Sequence, residues 1–127
     1  MLIKKDELTI RASLPDENYM QMIIEVAGEK VGGMDFHNMG NRIAQISIEI
    51  MAEMRNLGYG TRFLSMLIDE LFFNMGFERI ILDVALDNHR ARHVYEKLGF
   101  RIIRLKEESG TADYELTKIK KKIQNTP

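Results

Sequence analysis

Residues 42–75, RIAQISIEIMAEMRNLGYGTRFLSMLIDELFFNM, change periodicity halfway along, and that change decides the fold. From Arg42 to Ile50 apolar and polar side chains alternate. Ala44, Ile46, Ile48 and Ile50 face one side and Ile43, Gln45, Ser47 and Glu49 the other, the period of a β-strand. From Thr61 to Met75 the positions Phe63, Leu64, Leu67, Ile68, Leu71, Phe72 and Met75 recur at helical spacing, and Gly76 supplies a stop. Between them lies the glycine-rich junction Arg55-Asn56-Leu57-Gly58-Tyr59-Gly60-Thr61. Successive backbone N–H groups in such a turn, with the positive end of the helix dipole behind them, form a pocket for anionic oxygens. Glycines allow close backbone approach, and Arg55 adds a cationic reach. The chemistry suits a phosphate or pyrophosphate. There is no Lys-Ser/Thr ending of a P-loop and no G-x-G-x-x-G. Taken alone, the turn is equally one that merely starts a helix.

Working outward, Leu8, Ile10 and Ala12 alternate with Thr9 and Arg11, and a loop is expected at Pro15-Asp16-Glu17-Asn18. Met20 to Ala27 reads as a strand, Gly28-Glu29 as a hairpin turn into Lys30 to Phe36, and Met39-Gly40-Asn41 as a second turn. That is an antiparallel meander of three or four strands. Downstream, Glu78 to Leu86 contains ILDVAL, the apolar run of a strand covered on both faces. Asn88 suits a helix N-cap, Ala91, Val94, Tyr95 and Leu98 form one stripe, and Gly99 closes the helix. Phe100 to Leu105 and Ala112 to Lys118 read as two last strands around Glu107-Glu108-Ser109-Gly110. The order ββββ-α-β-α-ββ implies an α/β (α+β) fold, a mixed, mostly antiparallel sheet flanked by helices.

Length and composition narrow the class. The 127 residues argue for a single domain, 1–127, with 45% hydrophobic and 29% charged residues. A net charge of −1 gives no field to attract nucleic acid or a membrane. The chain has no cysteine, which excludes disulfides, thiolate metal sites and a cysteine nucleophile. With no signal peptide and no apolar run of about 18 residues, a cytoplasmic protein is expected. His89 and His93 stand four residues apart, but beside Arg90 and Arg92 they read as a surface pair, and no metal site is expected from them or His37. The methionines read as core filler or groove lining. Lys118, Lys120, Lys121 and Lys122 read as a basic, frayed tail over residues 118–127.

Asn88 and Tyr95 lie seven positions apart, two helical turns, so both look along one helix face. Each has a plain structural reading, a cap and a core aromatic with a satisfied hydroxyl. In combination the motifs say more. Arg55-x-x-Gly58-x-Gly60, followed one β-α unit later by Asn88-x-x-Ala91-x-x-x-Tyr95-x-x-Leu98-Gly99-Phe100, resembles the GNAT superfamily of acyl-CoA-dependent N-acyltransferases. The resemblance runs from Ala44 to Ile103 and implies a coenzyme-binding core over residues 42–103. It implies that the backbone amides from Leu57 through Gly58, Tyr59 and Gly60 to Thr61, with Arg55 and Asn56 leading in, bind the pyrophosphate of acetyl-CoA. Strand backbone near Ile50 is implied to bind the pantetheine arm, Asn88 to contact the coenzyme and Tyr95 to protonate the leaving thiolate. Arg90 and Arg92 are placed to meet the 3′-phosphate. A primary amine would attack the thioester, and Glu49, on the polar face with Gln45 and Ser47, is the candidate base. Glu49 also reads as a solvated strand carboxylate, Glu53 is the next candidate, and solvent can serve instead.

The chain departs from the family pattern in one place. Where most members have one or two helices after the first strand, it has only Leu14 to Tyr19, a reduced N-terminal helical region. The acceptor site is therefore expected to be open, or completed by a second subunit. The apolar strand with Met20, Met22 and Ile24, lacking that cover, points to a homodimer. The leading function is acetyl transfer to a primary amine, either of a small molecule or of a protein or peptide. The alternative is a non-catalytic acyl-CoA-binding regulatory module, against which Tyr95 argues, since mere binding needs no leaving-group acid.

Overall fold

The structure, a computed structural model, describes residues 2–12 and 18–124. The loop expected at Pro15-Asp16-Glu17, and most of the Leu14–Tyr19 stretch, lie outside the described residues. The strands are β1 (Leu2–Lys5), β2 (Leu8–Ala12), β3 (Tyr19–Val26), β4 (Glu29–Asn38), β5 (Ile43–Ile50), β6 (Arg79–Ala85), β7 (Arg101–Lys106) and β8 (Thr111–Thr117). The helices are α1 (Tyr59–Asp69), α2 (His89–Lys97) and α3 (Lys118–Gln124). A short 3-10 turn spans Ala52–Met54, and α1 runs on into a wider π-type turn at Glu70–Asn74. The strands form one eight-stranded sheet in the order β1-β2-β3-β4-β5-β6-β8-β7.

The mixed, mostly antiparallel sheet agrees with the expected class. Among the described residues only β5 and β6 run parallel, joined by the crossover helix α1. Their ladder stops early. Ile43, Ala44 and Gln45 pair with Arg79, Ile80 and Ile81, after which β5 continues to Ile50 and β6 to Ala85 unpaired with each other. The sheet opens into a fork there.

Buried residues of neighbouring strands stand opposite one another and so share a face: Ile10 with Ile24, Met22 with Met34, Phe36 with Ile46, Ala44 with Ile80, Leu82 with Tyr114. Onto this face α1 packs Phe63, Leu64, Leu67 and Ile68, and α2 packs Tyr95, in one continuous core. Burying each such side chain contributes on the order of 1.5–3 kcal/mol. The opposite face carries Gln21, Asp35, Ser47 and Glu49.

Several expectations are corrected. Leu2–Lys5 is an additional strand, tied to the helical layer where Arg62 of α1 bonds Glu7 (3.3 Å) in the β1–β2 turn. The sheet does not cover β6 on both faces: Ile80, Leu82 and Val84 are buried, whereas Arg79, Asp83 and Ala85 are exposed. Met20, Met22 and Ile24 lie in the core under the helices, so they offer no face for a second copy. The frayed basic tail is a helix as far as Gln124, and Lys121 within it is only 8% exposed. No helix of the described residues is long and apolar enough to cross a membrane.

Candidate active site

Glycine shapes the surroundings of the end of β5 at two places. Gly58 caps α1 with φ 82°, preceded by Asn56 at φ 66°, so the chain makes two left-handed residues before the helix begins. No side chain caps the helix, and its first residues, Tyr59, Gly60 and Thr61, line the cleft between α1 and α2. Gly32 is the second place. A Cβ there would overlap the carbonyl oxygen of Glu49 on the neighbouring strand, so only glycine lets β4 lie so close to the end of β5. Val31 bulges out of the ladder beside it, and its carbonyl accepts from the Met51 amide at 2.8 Å.

The α1–α2 cleft measures about 460 Å³. It brings together almost every residue singled out in the sequence. Glu49 and Ile50 line it from β5, Arg55, Asn56, Gly58, Tyr59, Gly60 and Thr61 from the junction, and Asn88 and Tyr95 from α2. Leu57 does not line the cleft, and it is 59% exposed. Arg55 is held by its Nε, which donates to the carbonyl of Ile50 at 2.9 Å. That carbonyl keeps a second lone pair, and the backbone of β5 beyond Gln45 forms no ladder with β6.

On α2, Asn88 is the N-cap, its side-chain oxygen accepting from the Ala91 amide at 3.2 Å. Tyr95 is 8% exposed, its ring 6.0 Å from Phe100 and 6.3 Å from Tyr114. Burial, and secondarily the negative charge of Asp83, raises its hydroxyl above the ordinary phenol pKa of 10.0. It therefore stays protonated, able to give a proton. Arg90 lines the cleft, but Arg92 does not. Arg92 donates instead to the Tyr114 hydroxyl (3.0 Å) and the Leu86 carbonyl (2.9 Å).

Beyond the fork, on the polar sheet face, lies a broader cavity of about 820 Å³. Ile48, Glu49, Ile50 and Arg55 line both spaces, so the two meet at the end of β5. Cross-strand rows supply its floor. Gln21, Asp35 and Ser47 make one row, with the Ser47 hydroxyl donating to Asp35 at 2.8 Å. Ile23, Gly33 and Glu49 make the next, the glycine leaving a dip between them. Glu53, exposed on the 3-10 turn, stands at its edge. Sequence reading missed Asp35, Ser47 and Gln21 as a group, because three strands contribute one residue each.

Parallel strands forking over a glycine-capped helix, with a second helix facing it, form the acyltransferase architecture that the motifs implied. A model of the Acetyltransferase (GNAT) family matches residues 3–100, and the chain belongs to that family. It is similar to the spermidine N(1)-acetyltransferase of Escherichia coli (strain K12), 29% identical over 89 residues, which is 68% of this chain and 48% of the relative. The chain spans about half the length of the curated relatives it matches. The spermidine N-acetyltransferase of Vibrio cholerae, solved in complex with CoA and spermine, shares its fold with a TM-score of 0.76 at 25% identity, over 84% of this chain and 69% of that one. RimJ of Mycobacterium smegmatis, in complex with CoA-disulfide, has a TM-score of 0.73 at 23% identity, over 79% of this chain and 53% of that one, a likeness of fold.

Proposed function

We propose that the chain transfers an acetyl group from acetyl-CoA to a primary amine, the coenzyme entering from the α1–α2 cleft and the amine from the polar sheet face. The observation that carries this reading is the meeting of the two spaces at Glu49 and Ile50, beside a buried and protonated Tyr95. Acetyl-CoA supplies a thioester, whose carbonyl accepts an amine as a C–N bond forms and the C–S bond breaks. The amides of Gly58 to Thr61 and the dipole of α1 hold the pyrophosphate, with Arg55 and Asn56 at the entrance and Arg90 nearby. The free edge of β5 near Ile50 takes the pantetheine as an added strand, and Asn88 borders it. Tyr95 gives its proton to the departing thiolate. Glu49 lines both spaces and is placed to take the proton an ammonium must lose, directly or through water, since such an amine has a reference pKa of about 10.4.

The relatives are named for spermidine, and carboxylates of Asp35, Glu49 and Glu53 on the polar face suit a cationic amine. A small polyamine is therefore the acceptor we infer. The test is calorimetric titration with acetyl-CoA and free coenzyme A, followed by an acetyl-transfer assay on spermidine and on monoamines. We expect micromolar coenzyme binding, lost in Gly58→Val, and turnover that favours spermidine. Binding without turnover on any amine would establish the regulatory module instead, and a folded protein that binds neither form would overturn both.

A further inference from the structure

Tyr114 is fully buried in the middle of β8, yet its hydroxyl is engaged twice. It accepts from Nε of Arg92 at 3.0 Å and donates to Oε1 of Glu96 at 3.2 Å. Arg92 also sends Nη1 to the Leu86 carbonyl at 2.9 Å, in the turn that leads into α2. Arg92 and Glu96 lie one helical turn apart on the side of α2 facing β8, while Ala91, Val94 and Tyr95 line the cleft. The hydroxyl of Tyr114 thus pins the back of the helix whose front carries Asn88 and Tyr95.

This pin matters because the other packing of α2 is apolar, with Ala91, Val94 and Leu98 partly buried against the core beside Tyr95. The helix has nine residues, and Tyr95 is its one buried side chain. Apolar contact is non-directional and leaves a short helix free to turn about its axis. Hydrogen bonds from a residue anchored in the sheet, and from Arg92 to the preceding turn, fix the angle. At the outer radius of a helix, about 5 Å, a rotation of about 10–15° carries a side-chain tip by roughly 1 Å. In an active site a misplacement of that size can cost about a hundredfold in rate. We propose that Tyr114 is a positioning residue, setting the rotation of α2 through Arg92 and Glu96 so that Asn88 and Tyr95 face the coenzyme. This rests on the reading of the α1–α2 cleft as the coenzyme site and Tyr95 as the proton donor.

Tyr114→Phe removes a single oxygen and leaves the core volume nearly intact. Three quantities decide: melting temperature, coenzyme A affinity by calorimetry, and steady-state kinetics with acetyl-CoA and spermidine. The expected result is a kcat lowered about tenfold or more, a coenzyme A affinity weakened roughly threefold to tenfold, and a KM for spermidine within about twofold of wild type. Glu96→Gln keeps an acceptor oxygen and retains wild-type kinetics, whereas Glu96→Ala follows Tyr114→Phe. A lower melting temperature with kcat and coenzyme affinity unchanged would reduce Tyr114 to a core residue and overturn the proposal. Should the wild type show no turnover, coenzyme A affinity decides alone, by the same criterion. Tyr95→Phe separates the two readings. If it keeps full kcat, the proton-donor role falls, and weakened coenzyme binding in Tyr114→Phe still upholds the positioning role.

Discussion

At the scale of single residues, the proton-donor role proposed for Tyr95 rests on its burial. Its ring fills core space against Phe100 and Tyr114 while its edge reaches the cleft. Low polarity around it, then the charge of Asp83, makes the phenolate costly. A phenol that holds its proton is a donor, not a base. Tyr95→Phe should lower kcat on the order of a hundredfold, within the range general acids contribute, while leaving coenzyme affinity nearly unchanged. The alkaline limb of kcat should lie above the ordinary phenol value of about 10. Asp83→Asn should move that limb down, though not to the reference value, because burial is the larger cause. The sign for stability follows from linkage. The unfolded chain ionises this phenol first, so folding stability is intact below about pH 10 and falls as pH rises through the folded-state value. Denaturant titrations across that range, on wild type and Tyr95→Phe, measure the difference.

Among the elements, β5 carries the site, and its neighbours decide where it ends. Gly32 lets β4 press against the Glu49 carbonyl, and the early stop of the β5–β6 ladder frees the other edge. Gly32→Ala must push the two strands apart at Glu49 and Ile50, because backbone, not a flexible side chain, stands in the way. The expected cost is about 1–3 kcal/mol, the range for overpacking, together with coenzyme binding weakened more than tenfold. Gly60→Ala is the control: its methyl would meet only the Ile50 side chain at 3.9 Å, ordinary contact, so the fold should keep its melting temperature. Paired melting and calorimetric titrations of the two variants check this. Strong periodicity made α1, β5 and the cap at Asn88 readable in the sequence. The strand Leu2–Lys5 was hidden because an edge strand with two lysines in four residues shows no alternation. The two-sided cover expected of β6 failed for a reason outside its own sequence. Its neighbours are one parallel and one antiparallel strand, and the helices lie on a single face.

Across the whole molecule, one sheet face is closed by helices and the other bears polar rows, and the legibility of the two halves of the site follows that division. The α1–α2 cleft is lined mainly by two contiguous motifs, so short-range reading singled out most of its lining and overreached only in adding Leu57 and Arg92. The polar side takes Gln21, Asp35 and Ser47 from three strands, and the Tyr114 pin joins residues 18 and 22 positions apart; neither leaves a local signal. The terminal helix illustrates the same limit. KIKKKI reads as solvated, yet Lys121 packs its stem into the molecule with its ammonium 3.9 Å from Asp69 on α1. The Thr117 hydroxyl accepts from the Lys120 amide at 3.2 Å, and the Lys118 ammonium sits 5.9 Å from the centre of the Phe73 ring. All of these contacts are with the C-terminal half of α1 and its extension, or with the end of β8, whereas the α1–α2 cleft opens at the N-terminus of α1. Stability and binding should therefore separate. Ending the chain after Thr117 should cost about 1–3 kcal/mol, a fall of several degrees in melting temperature, while coenzyme A affinity at 25 °C stays within about twofold of the full chain. Lys121→Met, which keeps the buried stem and removes the charge, should cost less than about 1 kcal/mol, because the partner Asp69 is half exposed and remains solvated. A truncated protein that melts normally would mean that α3 rests on the core without supporting it. A truncated protein that melts lower and loses coenzyme affinity in proportion would mean that the two ends of α1 are coupled through its buried stripe of Phe63, Leu64, Leu67, Ile68, Leu71 and Phe72.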